Sequence, residues 1–145
     1  MTIELPATID SALCDLNTVR LLRRVDSGKV MTMVEDGQLM WCFDISSRPQ
    51  VKIRGRIREL RFWFSEVVTP QFTTRLTLRE VIDRILPPTR KFFRSGEICR
   101  LLLISRPMLK YIARELGAVI HNRVYQVSRE AFAAFLTARW VWGNL

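Results

Sequence analysis

The chain contains one histidine, His121, and three widely separated cysteines, Cys14, Cys42 and Cys99. A catalytic triad built on histidine would have to use His121, and there is no second histidine to complete a zinc site that needs a pair. No two cysteines have the close spacing of a zinc site, so we interpret all three as reduced thiols of the core. These shortages predict a protein that has no metal, no cofactor and no enzymatic activity.

Long apolar runs are also missing. No stretch of about 18 apolar residues could form a transmembrane helix, and "MTIELPATIDSAL" lacks the basic and apolar regions of a secretory signal. The segment "SGK", at Ser27–Lys29, lacks the preceding glycine spacing of a nucleotide-binding loop. We therefore expect a cytoplasmic protein that has no membrane partner.

Positive charge is what the chain has in excess. Hydrophobic residues make up 48% of its 145 residues, and 23 Lys and Arg against 14 Asp and Glu give a net charge of +9. This excess predicts a polyanionic partner, either nucleic acid or, as the weaker alternative, an anionic membrane surface. Residues 1–50 carry five bases and seven acids, so the excess lies in the rest of the chain. We expect the polyanion to contact the middle and C-terminal parts.

Two short helices are predicted in the C-terminal part. Ser95 stands where an N-cap would precede "GEICRLLLI", and a break follows at Ile104. Ser105 can cap a second helix, Pro107 falls in its first turn, and Gly117 stands where a glycine ends a helix. This second helix has apolar residues at helical spacing, which predicts a buried stripe. The stripe consists of Leu109, Ile112, Ala113 and Leu116.

The other side of the second helix carries bases. Arg106, Lys110 and Arg114 are four residues apart, which places all three along one face of an α-helix. Like charges at this spacing repel each other by roughly 0.2–0.5 kcal/mol per pair. A negative partner lying against the helix would offset that repulsion. The order of two helices joined by a tight turn is typical of a helix-turn-helix, whose second helix enters the major groove of DNA.

A small hairpin, or wing, is predicted after Gly117. In "AVIHNRVYQVS" we expect two short strands with a turn at His121–Asn122, after which Ser128 caps a last helix. Residues of "REAFAAFLTARWVW" share one apolar face of that helix. These residues are Phe132, Phe135, Leu136 and Trp140.

Residues 93–139 resemble the excisionase-like, MerR-related winged helix-turn-helix family. The resemblance is carried by "SGEICRLLLISRPMLKYIAREL", the short hairpin and the closing segment "YQVSREAFAAFL". It implies a DNA-binding domain in which Ser105, Arg106, Lys110 and Tyr111 recognise DNA and Arg114 lies nearer the phosphates. We also assign His121 and Arg123 of the hairpin to DNA contact.

The N-terminal part predicts a similar arrangement. We expect a helix from Asn17 that stops at Gly28, and a hairpin whose turn is Asp36–Gly37. When the N-terminal part is aligned with the C-terminal part, Asn17 matches Ser105, Gly28 matches Gly117, and "CFDIS" matches "YQVS". The first helix would be "IDSALCDL" and the closing helix "RIRELRFWFSEVV". One interpretation is a tandem copy of the same fold; the alternative is an unrelated small α/β cap.

The middle of the chain is rich in bases. A helix is predicted from Thr77 to Leu86, and the basic connector "PPTRKFFR" either follows a phosphate backbone or is a solvated linker. Before the predicted helix, bases alternate with other residues along the chain. The alternation would put the bases on one side of an extended segment, which favours phosphate contact. These bases are Lys52, Arg54, Arg56 and Arg58, and Arg61 follows them.

We therefore predict a mainly α fold with small β-hairpin wings (α+β), of the winged helix-turn-helix type. If the N-terminal part repeats the C-terminal fold, the chain contains two tandem degenerate copies of it. The predicted divisions are a helix–hairpin–helix unit at 1–69, a helix and basic linker at 70–92, and a DNA-binding domain at 93–145. The predicted function is sequence-specific binding of double-stranded DNA, by a transcriptional regulator or a recombination accessory factor associated with the nucleoid. The alternative is a protein-interaction adaptor. A homodimer or a partner protein would use the N-terminal unit or Trp140 and Trp142.

Overall fold

The computed structural model describes residues 12–46, 59–68 and 76–144, which form seven α-helices and two three-stranded antiparallel sheets. The predicted α+β class is confirmed. In the first half the elements are β1 (Leu13–Asp15), α1 (Leu16–Arg23), α2 (Ser27–Glu35), β2 (Cys42–Asp44), β3 (Leu60–Trp63) and α3 (Phe64–Val68). The second half has α4 (Leu78–Ile85), β4 (Phe92–Arg94), α5 (Ser95–Leu102), α6 (Arg106–Leu116), β5 (Val119–His121), β6 (Val124–Ser128), α7 (Arg129–Ala138) and a 3-10 helix (Trp142–Asn144).

The same order of elements occurs twice. We call residues 13–46 and 59–68 the N-terminal unit and residues 92–144 the C-terminal unit. Each unit runs strand, helix, helix, strand, strand, helix, and its third strand lies in the middle of its sheet: β1-β3-β2 in one and β4-β6-β5 in the other. Helix α4 connects the two and packs against α7.

From the first strand to the second helix, the two units also agree residue by residue at a constant offset along the chain. Arg24 and Leu103 end the first helix of each unit in the left-handed conformation, with φ of 55° and 56°. Asp26 and Ser105 then cap the second helix of each unit, and each side chain accepts a hydrogen bond from the backbone N–H three residues further on. Buried residues follow the same offset. The pairs are Val19 with Ile98, Val30 with Leu109, Met33 with Ile112 and Val34 with Ala113.

This register corrects the predicted matches of Asn17 with Ser105 and of Gly28 with Gly117. Asn17 lies inside α1, whose N-cap is Asp15, and Gly28 lies in the first turn of α2. The carboxylates of Asp15 and Asp26 accept the backbone N–H groups at the two helix starts, at 2.9 Å and 2.8 Å. A glycine in a first turn does not stop a helix; the glycine that commonly ends a helix stands after its last turn, in the left-handed conformation.

The predicted hairpin around Asp36–Gly37 is also wrong. Its first strand is instead α2, because Val30, Met33 and Val34 have helical spacing and all three are buried. Gly37, with φ of 78°, follows the end of that helix. "CFDIS" begins with β2, an outer strand of the first sheet, whereas "YQVS" lies in β6, the middle strand of the second. The strand equivalent to β6 in the N-terminal unit is therefore β3 and not β2.

Both outer helices predicted for the N-terminal unit contain a strand in their described part. In "IDSALCDL", Leu13–Asp15 is β1, and positions 9–11 lie outside the described residues. In "RIRELRFWFSEVV", Leu60–Trp63 is the middle strand and helix begins only at Phe64. All four residues of β3 are buried, since helix α1 packs against this strand and the sheet faces the core.

Most local predictions for the C-terminal unit are confirmed. Helix α6 begins after the Ser105 cap, has Pro107 in its first turn, buries the predicted stripe and ends at Gly117. Ser128 caps α7, and Thr77 caps α4 with a reciprocal bond from Glu80. Three details differ. Arg94 precedes α5 while the Ser95 hydroxyl accepts the Tyr125 N–H at 2.8 Å, and the hairpin turn is Asn122–Arg123. Helix α7 ends at Ala138, so Trp140, predicted on its apolar face, lies beyond the helix.

The larger hydrophobic cluster crosses both units. Leu13, Trp41, Phe43, Ile45 and Trp63 of the N-terminal unit pack in the same cluster as buried residues of α4, α5, α6 and α7. A second cluster lies among α1, α2 and the first sheet. The two units therefore bury apolar surface against each other.

The segment after α7 covers the outer edge of the first sheet. Trp140 forms an antiparallel bridge with Phe43, stacks on Trp41 with centroids 5.3 Å apart, and donates its indole N–H to the Met40 carbonyl at 2.7 Å. Trp142 contacts Trp140 and is 40% exposed. Of the two tryptophans assigned to the core or to a partner surface, Trp140 packs against the core cluster.

Candidate nucleic-acid interface

Helix α6 has one buried face and one basic face. The buried face consists of the predicted stripe, which packs in the cluster shared by both units. Arg106, Lys110 and Arg114 are exposed, and Tyr111 is 74% exposed. The structure therefore brings four of the predicted DNA-contacting side chains onto the solvent side of one helix. We call Arg106, Lys110, Tyr111 and Arg114 the basic face of α6.

The three cations of the basic face have no carboxylate partner among the residues that the structure describes. Two nearby acids are engaged elsewhere: Glu115 pairs with Arg139 at 3.1 Å, and Glu97 pairs with Arg90. The positive charge of this face is therefore not cancelled by ion pairs within the described chain, and its repulsion is unrelieved. A polyanion is the partner that would relieve it.

Ser105 lies at the start of the basic face. Its hydroxyl oxygen accepts the Met108 N–H at 3.3 Å, which caps α6. A hydroxyl that accepts one hydrogen bond still has a proton to donate, and a phosphate oxygen is a suitable acceptor. The exposed Ser105 can therefore cap the helix and donate to a phosphate at the same time.

The hairpin after α6 presents both of its predicted contact residues. His121 ends β5 opposite Val124, and Arg123 follows in the turn; both are exposed. Asn122 and Arg123 have φ of 51° and 67°, the left-handed pair of a tight hairpin turn whose twist matches the strands. The turn lies one residue later than predicted, which leaves His121 in the strand.

The predicted basic cluster divides into two parts. Lys52, Arg54, Arg56 and Arg58 lie outside the described residues. Arg61, which follows them in the sequence, is buried in β3 and is 6% exposed. Arg61 is therefore unavailable to a phosphate. Its Nη1 donates to Glu59 and to the Leu60 carbonyl, and its Nε and Nη2 donate to carbonyls of the C-terminal unit.

Sequence reasoning missed several further cations. Arg100 on α5 and Arg94 at its N-cap are exposed, and no carboxylate pairs with either within the described ranges. Arg100 could have been found from its place opposite the apolar residues of "GEICRLLLI". Arg61 and Arg139 carried no such signal, because burial of an arginine depends on the acceptors that tertiary structure supplies.

No metal site is visible in the described ranges. They contain no group of three His, Cys, Asp or Glu that could hold a metal ion. A shallow cavity of about 250 Å³ lies between α4 and α5, lined partly by Arg90, Phe93, Glu97 and Arg100. Arg90 pairs with Glu97 and lies 5.6 Å from the Phe93 ring centroid. Of the two arginines that line the cavity, Arg90 and Arg100, the first is therefore already neutralised.

Comparison with known proteins supplies no family. A scan against protein-family models, a search of curated proteins and a search of solved structures gave no match. Among the helices described here, none is long and apolar enough to cross a membrane. The function has to be argued from α6 and its surroundings.

Proposed function

We propose that this protein binds double-stranded DNA sequence-specifically, with α6 in the major groove. The observation that carries the proposal is the basic face of α6, on which three exposed cations have no carboxylate partner among the described residues. A helix lying in the major groove meets phosphates on both sides and base edges at its centre. An α-helix of eleven residues fits this groove.

The surrounding elements support this proposal. Helices α5 and α6 are joined by a turn of three residues, and a hairpin follows α6, which is the order of a winged helix-turn-helix. In that arrangement Arg106, Lys110 and Tyr111 would contact base edges, whereas Ser105 and Arg114 would contact phosphates. His121 and Arg123 would meet the backbone from the hairpin. Such a protein would be a transcriptional regulator or a recombination accessory factor, and it would lie with the nucleoid.

The N-terminal unit lacks the residues of the basic face. At the constant offset that relates the units, α2 has other residues at all four positions. Ser27, Met31, Thr32 and Glu35 stand where α6 has Arg106, Lys110, Tyr111 and Arg114. The N-terminal unit is therefore proposed as a second winged-helix copy that does not read DNA.

An adaptor that binds a protein is the second candidate function. It is favoured by the N-terminal unit, where Leu21 is 70% exposed on α1 and α2 has no basic face. An adaptor gives no reason for three cations along α6 that pair with no carboxylate among the described residues. We therefore assign protein contact to the N-terminal unit as an addition to DNA binding.

Selection of bound fragments from random DNA tests the proposal, followed by a salt titration on the selected site. Binding through phosphates gives a slope of log affinity against log salt of about −0.9 for each phosphate neutralised. We expect an enriched sequence and a steep slope. Binding without enrichment would reduce the function to non-specific DNA contact, and a flat slope would favour the adaptor.

A further inference from the structure

Two buried arginines join the N-terminal unit to the two ends of α6. Arg61 lies on β3 and Arg139 lies directly after α7; their side chains are each 7% exposed. Neither belongs to the basic face, and both are too buried to contact DNA. Burying a guanidinium is unfavourable unless its donors are satisfied, so the groups that accept from these two residues are informative.

Arg61 holds the turn that precedes α6. Its Nε donates to the Leu102 carbonyl at 2.6 Å, and its Nη2 donates to the Leu103 carbonyl at 2.9 Å. Leu102 is the last residue of α5, and Leu103 is the left-handed residue of the turn. The last carbonyls of a helix lack helical partners and carry partial negative charge, so a cation there is favourable. Arg61 thus ties the first sheet to the start of α6.

Arg139 holds the other end of α6. Its Nη2 pairs with Glu115, one residue before the last residue of α6, at 3.1 Å. Its Nη1 donates to the carbonyls of Asp44 and Ser46, at the end of β2. The guanidinium also lies 4.8 Å from the Phe135 ring centroid. Arg139 thus connects the end of α6 to the first sheet through one side chain.

We infer that Arg61 and Arg139 are positioning residues that set the orientation of α6, so that the N-terminal unit controls DNA-site selectivity without contacting base edges. This inference rests on the proposed function. A base contact requires a donor within a few tenths of an ångström of its acceptor, whereas a phosphate contact tolerates displacement. Loosening either end of α6 therefore weakens binding to the selected site and leaves binding to other DNA nearly unchanged.

Two variants release the two ends of α6 separately. Arg61→Lys keeps the charge but loses the planar fork that reaches two carbonyls at once. Glu115→Gln removes the ion pair with Arg139 at a side chain that is partly exposed, so the fold is retained. Arg129→Lys is the matched control, because Arg129 also donates to carbonyls that follow a helix, those of Leu86 and Pro87, and pairs with Asp83. Those contacts join α7 to α4 and involve neither α6 nor the N-terminal unit.

The measurement is affinity for the selected site and for a scrambled site, with the full chain. We expect Arg61→Lys and Glu115→Gln to lower the ratio of the two affinities roughly tenfold, the order of one misplaced base contact. Arg129→Lys should leave the ratio unchanged, since partial unfolding lowers both affinities equally. An unchanged ratio in Arg61→Lys and Glu115→Gln, or an equal fall in all three variants, overturns the inference. If Arg61→Lys does not fold, Glu115→Gln decides.

Amide hydrogen exchange separates this inference from the proposed function. Loss of a charge-assisted hydrogen bond should speed exchange in the α5–α6 turn and α6 roughly tenfold in Arg61→Lys, and not in Arg129→Lys. If the parent chain binds no DNA, the proposed function fails and so does control of selectivity, while faster exchange would still show that Arg61 holds α6. Parent-like exchange together with a parent-like affinity ratio rejects the positioning role itself.

Discussion

Arg24 and Leu103 occupy the same place in two equivalent turns of the chain. Both are left-handed, with φ of 55° and 56°, and their N–H groups donate to the carbonyls of Arg20 and Cys99 at the same offset. A residue other than glycine has a strained backbone in this conformation, at a cost of about 1–3 kcal/mol. Both units maintain the strained turn, so its geometry is common to them although their exposed side chains differ.

Glycine at either position should relieve that strain. We expect Arg24→Gly and Leu103→Gly to raise the free energy of unfolding by about 0.5–1 kcal/mol, because the relieved strain exceeds the greater freedom of glycine in the unfolded chain. Urea denaturation measures the change. Thr32→Gly, in the middle of α2 on its exposed side, is the control and should destabilise by a similar amount. Destabilisation by Leu103→Gly would mean that its side chain packs more favourably than its partial exposure indicates.

Arg106→Ala and Lys110→Ala test the basic face. Each should weaken binding to the selected site by roughly 1–3 kcal/mol where the side chain contacts a base. Unfolding in urea should be nearly unchanged, because both side chains are exposed. Arg84→Ala removes an equally exposed charge from α4 and is the matched control. Parent-like binding by both α6 variants would show that another surface contacts DNA.

The basic segment before β3 is predicted to contact phosphates. Replacement of Lys52, Arg54, Arg56 and Arg58 by serine should weaken binding to every DNA sequence by a similar factor. Phosphate contacts position a protein without specifying a sequence, so the selectivity ratio should stay constant while the salt slope becomes shallower. Affinity against salt for parent and variant is the measurement. An unchanged slope would assign these four side chains to solvent.

A fragment of residues 90–145 should be much less stable than the full chain. It keeps the helices and hairpin of the C-terminal unit but loses Trp41, Phe43 and Trp63 from the shared cluster. About 55 residues support a marginal core at best. A fragment of residues 76–145 restores α4, with Val81, Ile82 and Ile85 buried, and should be the more stable of the two. Circular dichroism melting compares both with the full chain; a cooperative, parent-like melt of 90–145 would contradict the shared core.

The cysteines should differ in reactivity. Burial raises the pKa of the Cys14 thiol to about 12 and that of Cys42 well above its ordinary value. Burial also raises the pKa of the half-buried Cys99 thiol, but the neighbouring charge of Arg106 opposes this rise. Alkylation of the native chain at pH 8 should label Cys99 first, as mass spectrometry can show. Cys14 and Cys42 should react only when the chain unfolds.

The same pKa shifts predict how stability depends on pH. A thiol whose pKa is raised in the folded chain loses its proton first in the unfolded chain. Its contribution to stability is therefore complete below the unfolded pKa, near 8.5, and declines as pH rises toward the folded value of about 12. Cys14→Ala should reduce the fall in stability between pH 8 and pH 10. A fall of the same size in this variant would assign the pH dependence to other groups.

Much of the C-terminal unit was predictable because its signals are local. Ser105, Pro107 and Gly117 act within one turn of α6, and Ser128 acts within the first turn of α7. Capping and helical spacing involve residues at most four positions apart, so a single sequence displays them. The basic face of α6 followed from the same spacing.

The N-terminal unit was mispredicted where local signals conflict. "KVMTMV" directly precedes the turn signal Asp36–Gly37, which favours a hairpin. It is helical because the Asp26 cap and the burial of Val30, Met33 and Val34 together outweigh that preference. Strand β3 was wrongly predicted as helix for a similar reason. It is a strand because it pairs with both β1 and β2, and a local pattern does not display those pairings.

The amino-acid sequence by itself determined the α+β class, the limits of α6, the start of α7, and the cations on the exposed side of α6. Only the tertiary structure decided the constant offset between the two units, the core that they share and the burial of Arg61 and Arg139. Arg61 finds its carbonyl acceptors 41 and 42 positions away, and Arg139 finds Asp44 and Ser46 95 and 93 positions away. No local pattern encodes such partners, because a buried arginine is stable only where folding brings oxygen atoms to its donors.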